Sequence, residues 1–518
     1  MPPIATRRRL LQGLGAGLLL PTLARRGWAA PLGRPAITDG VQAGDALGDR
    51  AIVWSRCDRP ARLWVEWDTR ESLAGARRIA GPVATPDGDF TARLDLSGLP
   101  PGQTICYRVR FEDLHSGALS EPVAGKLRTA PDRPRDLRVL WSGDTVGQGY
   151  GINPDIGGMR IYEAMRQRQP DLFVHSGDTI YADGPVPAEL TVEDGKRWRN
   201  LTHPAKDKVA ETLDEFRGNY RYNLLDSNLR GFNAEVAQVW QWDDHETVNN
   251  WSPGKVLGPE YAAVRDIATL SRRARQAFLE YAPLRRIDAD GQGRVYRRIP
   301  YGPLLDVFVL DMRSYRGANG ANLQAGPAPA AWFLGPEQLA WLKRGLAASR
   351  ATWKLIAADM PIGLQVPDGR GDDGQPRWEA IANGDPGAPR GRELEIADLL
   401  RFVSRRRIRN TVWITADVHY CAAHYYDPGK AAFSDFEPFW EFVAGPLNAG
   451  SFGPNALDAT FGPQVVFQKA PPAPNASPLA GFQFFGEIEI DAASAAMTVT
   501  LRDLDGAVQF SKALTAWV

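Results

Sequence analysis

Four apolar runs of strand length each break off at a polar turn bearing a carboxylate or an imidazole. Leu137 to Trp141 leads into Ser142-Gly143-Asp144-Thr145, and Leu172 to Val174 into Gly177-Asp178-Thr179-Ile180-Tyr181. Val236 to Trp242 leads into Asp243-Asp244-His245-Glu246, and Val412 to Ile414 into Ala416-Asp417-Val418-His419. Helices are expected among them at Met159 to Gln167, Ser271 to Tyr281, Pro336 to Ala348 and Arg392 to Arg405, with strands at Leu304 to Leu310 and Trp353 to Ala357. Gly486 to Ile490 and Met497 to Leu501 read as an antiparallel pair closing a sheet. Such alternation predicts an α/β class, in which sites lie just beyond the carboxyl ends of the strands. A single Gly-Asp needs no more than the preference of Asp for turns and caps. Four in succession predict one shared site.

Residue types set the chemistry of that site. In GDTIYAD, Gly177 to Asp183, a carboxylate and a phenol stand three residues apart, so Asp178 and Tyr181 can reach one point from a strand-end loop. Hard anionic oxygen donors of this kind suit ferric iron and other hard cations better than soft ones. A metal centre is expected.

The amino terminus predicts where it works. Thr6-Arg7-Arg8-Arg9-Leu10-Leu11-Gln12 joins an arginine pair to a weakly apolar stretch, Leu10 to Leu20, interrupted by Gly13, Gly15 and Gly17 and ended by Pro21. Residues 1–30 read as a twin-arginine export signal with small residues for cleavage near Ala29. The broken run falls below the about 18 apolar residues of a spanning helix, so no stable membrane anchor is expected. A periplasmic or extracellular protein is predicted, delivered folded and already metal-loaded by the twin-arginine translocation machinery. The 518 residues carry 61 basic and 61 acidic side chains, which leaves no field to attract nucleic acid. Nothing in this even composition marks a fixed partner, and a monomer is expected.

Residues 36–130 alternate apolar side chains between turns, as in Ala61 to Trp67 and Ile105 to Arg110, and predict an N-terminal all-β immunoglobulin/fibronectin-III-like sandwich. Leu99 to Tyr107 is similar to the tyrosine corner of such domains, where a phenol bonds backbone a few residues upstream. Arg128 to Pro134, with two prolines, reads as a linker into a second domain spanning 137–518. Cys57 and Cys106 either form one bridge or remain buried thiols.

Taken together, Gly-Asp, Gly-Asp-x-x-Tyr, Asp-Asp-His-Glu and Asp-x-His in this order, with DMRSYR at Asp311 to Arg316 and ADVHY at Ala416 to Tyr420, resemble the calcineurin-like binuclear metallophosphoesterases, and within them the PhoD-like alkaline phosphatase/phosphodiesterase family. The resemblance spans nearly the whole chain after the signal. It implies a four-layer core of two sheets flanked by helices, and hydrolysis of small phosphomonoesters or phosphodiesters by a metal-activated hydroxide. It further implies that Asp178 bridges two metals, that Asp144, Tyr181 and His419 complete a ferric (Fe3+) site, and that Asp244 and Asp417 serve calcium (Ca2+). His245 aligns with a histidine that is not a ligand and is the expected acid or transition-state stabiliser. Asp144 is followed by Thr145 and Val146, so the histidine that opens many such sites is absent here, as is the cysteine many PhoD-like chains carry nearby.

Several residues stay open between two roles. Asp359 is a further ligand or a turn residue; Asn249 and Asn250 support a divalent ion, contact substrate or bond their own loop; His424 orients His419 or packs at the core edge; Arg313 grips phosphate or forms a buried pair. His175 is expected to be packed. A phospholipase-D-like phosphodiesterase and a non-catalytic exported binding protein on the same scaffold are the alternative functions.

Overall fold

The computed structural model describes residues 33–286 and 293–517, so the export-signal reading of residues 1–30 lies outside the described residues. Pro35–Val518 form one compact unit. A nine-stranded sheet runs in the order Val508–Leu514, Met497–Asp503, Phe484–Ile490, Leu137–Ser142, Leu172–His175, Ala237–Trp240, Ile37–Gly44, Arg50–Cys57 and Thr91–Ser97. A seven-stranded sheet runs in the order Arg297–Pro300, Leu305–Val309, Trp353–Ala357, Thr411–Thr415, Phe439–Val443, Cys421–Tyr426 and Pro463–Lys469.

Period-two alternation makes these sheets into layers. Val139 and Trp141 enter one core cluster with Val307, Val309, Leu355, Ala357 and Ile414 of the other sheet. Leu140 and Phe173, on the opposite face, pack with Ile161, Phe232 and Phe278 of helices Arg160–Gln167, Ser227–Glu235 and Ile267–Tyr281. Phe308, Ile356 and Trp413 likewise pack outward against Leu342 and Leu399 of helices Pro336–Ala348 and Glu393–Arg405. Neither face of a central strand meets water, which is why these strands read as continuous apolar runs. The result is helix, sheet, sheet, helix.

Trp141 ties the inner faces together: its Nε1 donates to the Thr415 carbonyl of the opposing sheet at 3.2 Å. Its indole lies flat over Gly486, where a Cβ would sit inside the ring. Gly486→Ala should therefore destabilise the protein by about 1–3 kcal/mol through overpacking, seen as a lower urea midpoint at unchanged slope. An unmoved midpoint would mean that the sheets can part to admit a methyl group.

The N-terminal strands depart from a self-contained sandwich. Arg77–Ala84, Ala61–Asp68, Thr104–Asp113 and Val123–Arg128 form their own four-stranded sheet. The facing strands Ile37–Gly44, Arg50–Cys57 and Thr91–Ser97 instead extend the nine-stranded sheet, through the parallel pairing of Gly44 with Gln238. The tyrosine-corner expectation is corrected as well. Tyr107 reaches forward to the Ala234 carbonyl, 3.5 Å away at the end of a helix, because Gly125 opens room for the ring. Cys57, Cys106 and Cys421 are buried free thiols.

Two helices lie where the apolar pattern is weak. Leu213–Asn223 opens on a full capping box between Thr212 and Glu215, a T-x-x-E signal present in the sequence. Ser227–Glu235 is capped by Asp226. None of the described helices is long and apolar enough to cross a membrane.

Candidate metal centre

Leu137–Ser142, Leu172–His175 and Ala237–Trp240 run parallel in one sheet, and Leu305–Val309, Trp353–Ala357, Thr411–Thr415 and Phe439–Val443 run parallel in the other. Their carboxyl ends bring Asp144, Asp178, Tyr181, Asp244, His245, Asp417 and His419 together. Three groups of ligand atoms, each within 4.8 Å of one another, share members: Asp144, Asp178 and His419; Asp178, Asp244 and His245; Asp243, Asp244 and Asp417. Tyr181 joins the first group, its hydroxyl 2.8 Å from His419 Nε2.

The loops that present these groups are held in strained backbone. Asp144 (φ 64°), Asp178 (φ 54°), Asp417 (φ 65°) and His419 (φ 61°) all occupy the left-handed region. Non-glycine residues seldom sit there unless the surroundings over-determine them, and such positions cluster at functional sites. For Asp178 the over-determination comes from Glu246, which is fully buried. Glu246 accepts from the backbone N–H groups of Asp178 (3.1 Å), Thr179 (2.6 Å) and Asp243 (2.8 Å), and so ties two strand-end loops together.

Burial and mutual repulsion dominate the electrostatics. The carboxyls of Asp144, Asp178, Asp243 and Asp417 are pushed well above the usual range, by burial first and then by neighbouring acids, chiefly Asp244, Glu246, Asp359 and Glu379, against the opposing pull of His245 or Arg313. Burial also pushes up the Tyr181 phenol, helped by Asp178 and Asp144. Asp244 goes the other way, because His245 and Arg313 outweigh the cost of its burial. Both carboxylate oxygens of Asp144, with Asp243 Oδ2 and Asp359 Oδ1, are buried without a hydrogen-bond partner. Buried anions are normally paired or coordinated to a cation. Hard oxygen donors arranged around Asp178 in this way fit hard cations.

Two cationic groups offset the cluster. Arg313 is fully buried, its guanidinium bonded to Asp243 (2.6 Å), Asp359 (3.0 Å), Asp417 (3.3 Å) and Glu379. Arg313 is thus a buried counter-ion to these acids, and Asp359 pairs with it through Oδ2. His245 Nδ1 donates to Asp183 Oδ1 at 2.7 Å, and its ring stacks on Tyr181 with centroids 4.1 Å apart. Asp183, Asp244 and Asp178 outweigh the burial of His245 and raise its pKa well above the usual value.

Sequence reasoning assigned no role to Asp183, Asp243, Glu246 or Glu379. The first three lie inside quoted motifs, whereas Glu379 lies in a loop with no local signal. Asn249 and Asn250 bond their own surroundings: the Asn249 N–H donates to Asp183 Oδ2 at 2.7 Å, and the Asn250 N–H to Asp244. His424 does not reach His419; it pairs with Glu441 at 3.1 Å.

A profile described as PhoD-like phosphatase matches residues 140–501, and one for the N-terminal domain of PhoD-like phosphatases matches residues 22–131. The chain belongs to the PhoD-like phosphatase family. It is 27% identical over 487 residues to alkaline phosphatase D of Bacillus subtilis (strain 168), covering 86% of this chain and 77% of that protein. The fold matches a solved structure of PhoD with a TM-score of 0.68 at 21% identity, covering 92% of this chain and 89% of the other. Family membership makes the chain a metal-dependent phosphoric ester hydrolase with a small-molecule substrate, and the reading as a non-catalytic binding protein is not favoured. Among the described residues, no cysteine enters the three groups.

Proposed function

We propose that this chain is an exported alkaline phosphatase/phosphodiesterase whose centre holds ferric iron and calcium, with Asp178 shared between them. The supporting observation is that Asp178 belongs both to the group with Asp144 and His419 and to the group with Asp244 and His245. Asp144, Tyr181 and His419 would complete the ferric site, a donor set of carboxylate, phenolate and imidazole suited to a hard trivalent ion. Asp244 and Asp417, joined by Asp243, would hold calcium through carboxylate oxygens alone. When bound, such a pair supplies a clamp for phosphoryl oxygens and a nucleophile at alkaline pH.

The chain's own residues do the rest. His419 Nδ1 lies against the Gly450 carbonyl, which fixes the tautomer and leaves Nε2 for the site. His245, with Nδ1 engaged by Asp183, has Nε2 available to protonate the departing ester oxygen. His245→Ala should lower kcat by about 10²–10⁴-fold while metal content stays at the wild-type level. Asp183→Asn removes the main charge that raises the His245 pKa. A general acid works only while protonated, so the alkaline limb of the pH–rate profile should move to lower pH. A profile unchanged in Asp183→Asn would remove His245 from this role.

Metal analysis and a visible spectrum of the purified protein, with paired chromogenic mono- and diesters, test the whole reading. Iron, calcium and a tyrosinate absorption band that vanishes in Tyr181→Phe are expected, and the preferred ester separates phosphatase from phosphodiesterase. No bound metal and no turnover after reconstitution would overturn it.

A further inference from the structure

Beneath the metal centre, on the side of the nine-stranded sheet that faces the helices, lies a small, largely apolar cavity of about 20 Å³ lined by Leu224, Leu229 and Trp240 and by Thr145, His175 and Asn233. Asn233 Nδ2 is buried here without a hydrogen-bond partner.

The same cavity borders the two residues that follow the strained carboxylates. Thr145 follows Asp144, and its Oγ1 lies 2.7 Å from His175 Nε2 and 3.0 Å from the Tyr162 hydroxyl. Its backbone N–H donates to the Asp178 carbonyl at 2.9 Å, so the Asp144 and Asp178 turns are laced to one another at this point. Thr179 follows Asp178, and its carbonyl accepts from Asn223 Nδ2 at 2.6 Å. His175, placed by its position at the end of Leu172–His175, is 2% exposed and carries no acidic partner. A buried imidazole bonded to a hydroxyl in this way serves to hold geometry.

We infer that His175 is a positioning residue for the metal centre: it fixes the Thr145 hydroxyl and thereby keeps Asp144 in its left-handed, ligand-presenting conformation. The chain of contacts runs from His175 through Thr145 to Asp144. The inference rests on the metal-dependent reading of the centre and adds to it a support that no family resemblance indicated. Outer partners of this kind typically set metal affinity by 10–100-fold when removed.

The test measures metal affinity of the full chain by competition with a chromogenic chelator, alongside unfolding of the metal-free protein. Thr145→Val removes the hydroxyl at constant shape, and His175→Phe removes both ring nitrogens. Each should weaken iron binding by about 10–100-fold while kcat of the fully reconstituted enzyme changes far less. His175→Gln, whose amide nitrogen can stand where Nε2 does, should restore most of the affinity. If His175→Phe does not fold, Thr145→Val carries the comparison alone. Wild-type affinity in Thr145→Val would overturn the inference while leaving the functional reading intact. Failure of the wild-type protein to bind metal would overturn the functional reading and the inference with it.

Discussion

Asp178→Asn should lower kcat/KM for phosphoester hydrolysis by about 10³-fold or more, equivalent to about 4 kcal/mol of lost transition-state stabilisation at 1.36 kcal/mol per decade. Asp178 is the one carboxylate shared by the Asp144–His419 and Asp244–His245 groups, so its charge serves both halves of the centre. Asparagine keeps the size of the side chain and an oxygen that can accept from the His245 backbone N–H, a bond of 3.1 Å in the native chain. The fold should therefore survive. The metal-free variant should even match or exceed wild-type stability above neutral pH. Burial, followed by neighbouring acids, raises the Asp178 carboxyl well above its usual pKa. A carboxyl raised in the folded state favours folding while protonated, and that contribution is lost as pH climbs past its unfolded pKa. The neutral amide never incurs this loss. Metal content, kcat/KM and melting temperature with and without chelator check all three statements, and activity within tenfold of wild type would remove Asp178 from the centre.

Arg313→Met should cost about 3–5 kcal/mol, the range for stripping one partner from a buried ion pair. The guanidinium is fully buried and bonded to Asp243, Asp359, Asp417 and Glu379, so its loss strands several carboxylates among themselves. The defect should depend on pH with a definite sign. Arg313 pulls the pKa values of Asp243, Glu379 and Asp417 down against burial. Without it these acids rise further, so the variant gains relative stability as pH falls and protons replace the missing charge. Added divalent cation should offset part of the loss. Arg313→Lys keeps the charge without the planar fork and should fall between the two. Urea unfolding at pH 5 and pH 8 decides: a variant within about 1 kcal/mol of wild type at pH 8 would contradict the charge-balance account.

Much of the frame was legible because local pattern and burial agree. Pro336–Ala348 and Trp353–Ala357 occur at their expected bounds, and Thr411–Thr415 contains the expected run Val412 to Ile414. Each combines an apolar period with a clear stop, proline at the helix start or turn residues after the strand. Ser271 to Tyr281 begins four residues early, at Ile267, because Asp266 accepts from Ala268 and Thr269 and caps the extra turn. The three strands on one flank of the seven-stranded sheet, Phe439–Val443, Cys421–Tyr426 and the edge strand Pro463–Lys469, carried no expectation. Strands at a sheet's margin owe their existence to a neighbour's free backbone groups as much as to their own composition.

All seven residues singled out for chemistry converge, since each sits at the end of an apolar run whose direction dictates where its turn must go. Their partners were less legible. Asp183 lies 62 residues from His245, and His419 lies 238 residues from Tyr181. No spacing within a motif encodes such a contact. Arg313 is the sharpest instance: its neighbours in sequence suggest a local pair with Asp311, whereas the folded chain surrounds it with acids drawn from four other segments.

The amino-acid sequence by itself determined the α/β layering, the four acid-bearing turns and the hard-donor character of the centre, because periodicity, turn chemistry and donor type are properties of a few adjacent residues. Only the tertiary structure decided that the N-terminal strands would extend the nine-stranded sheet, that Asp183 and Glu246 would hold His245 and the loops, and that Arg313 would be a counter-ion. Those outcomes depend on which distant segments meet in a dry interior, where an unpaired charge is costly and each buried acid takes whatever partner the closing sheets deliver.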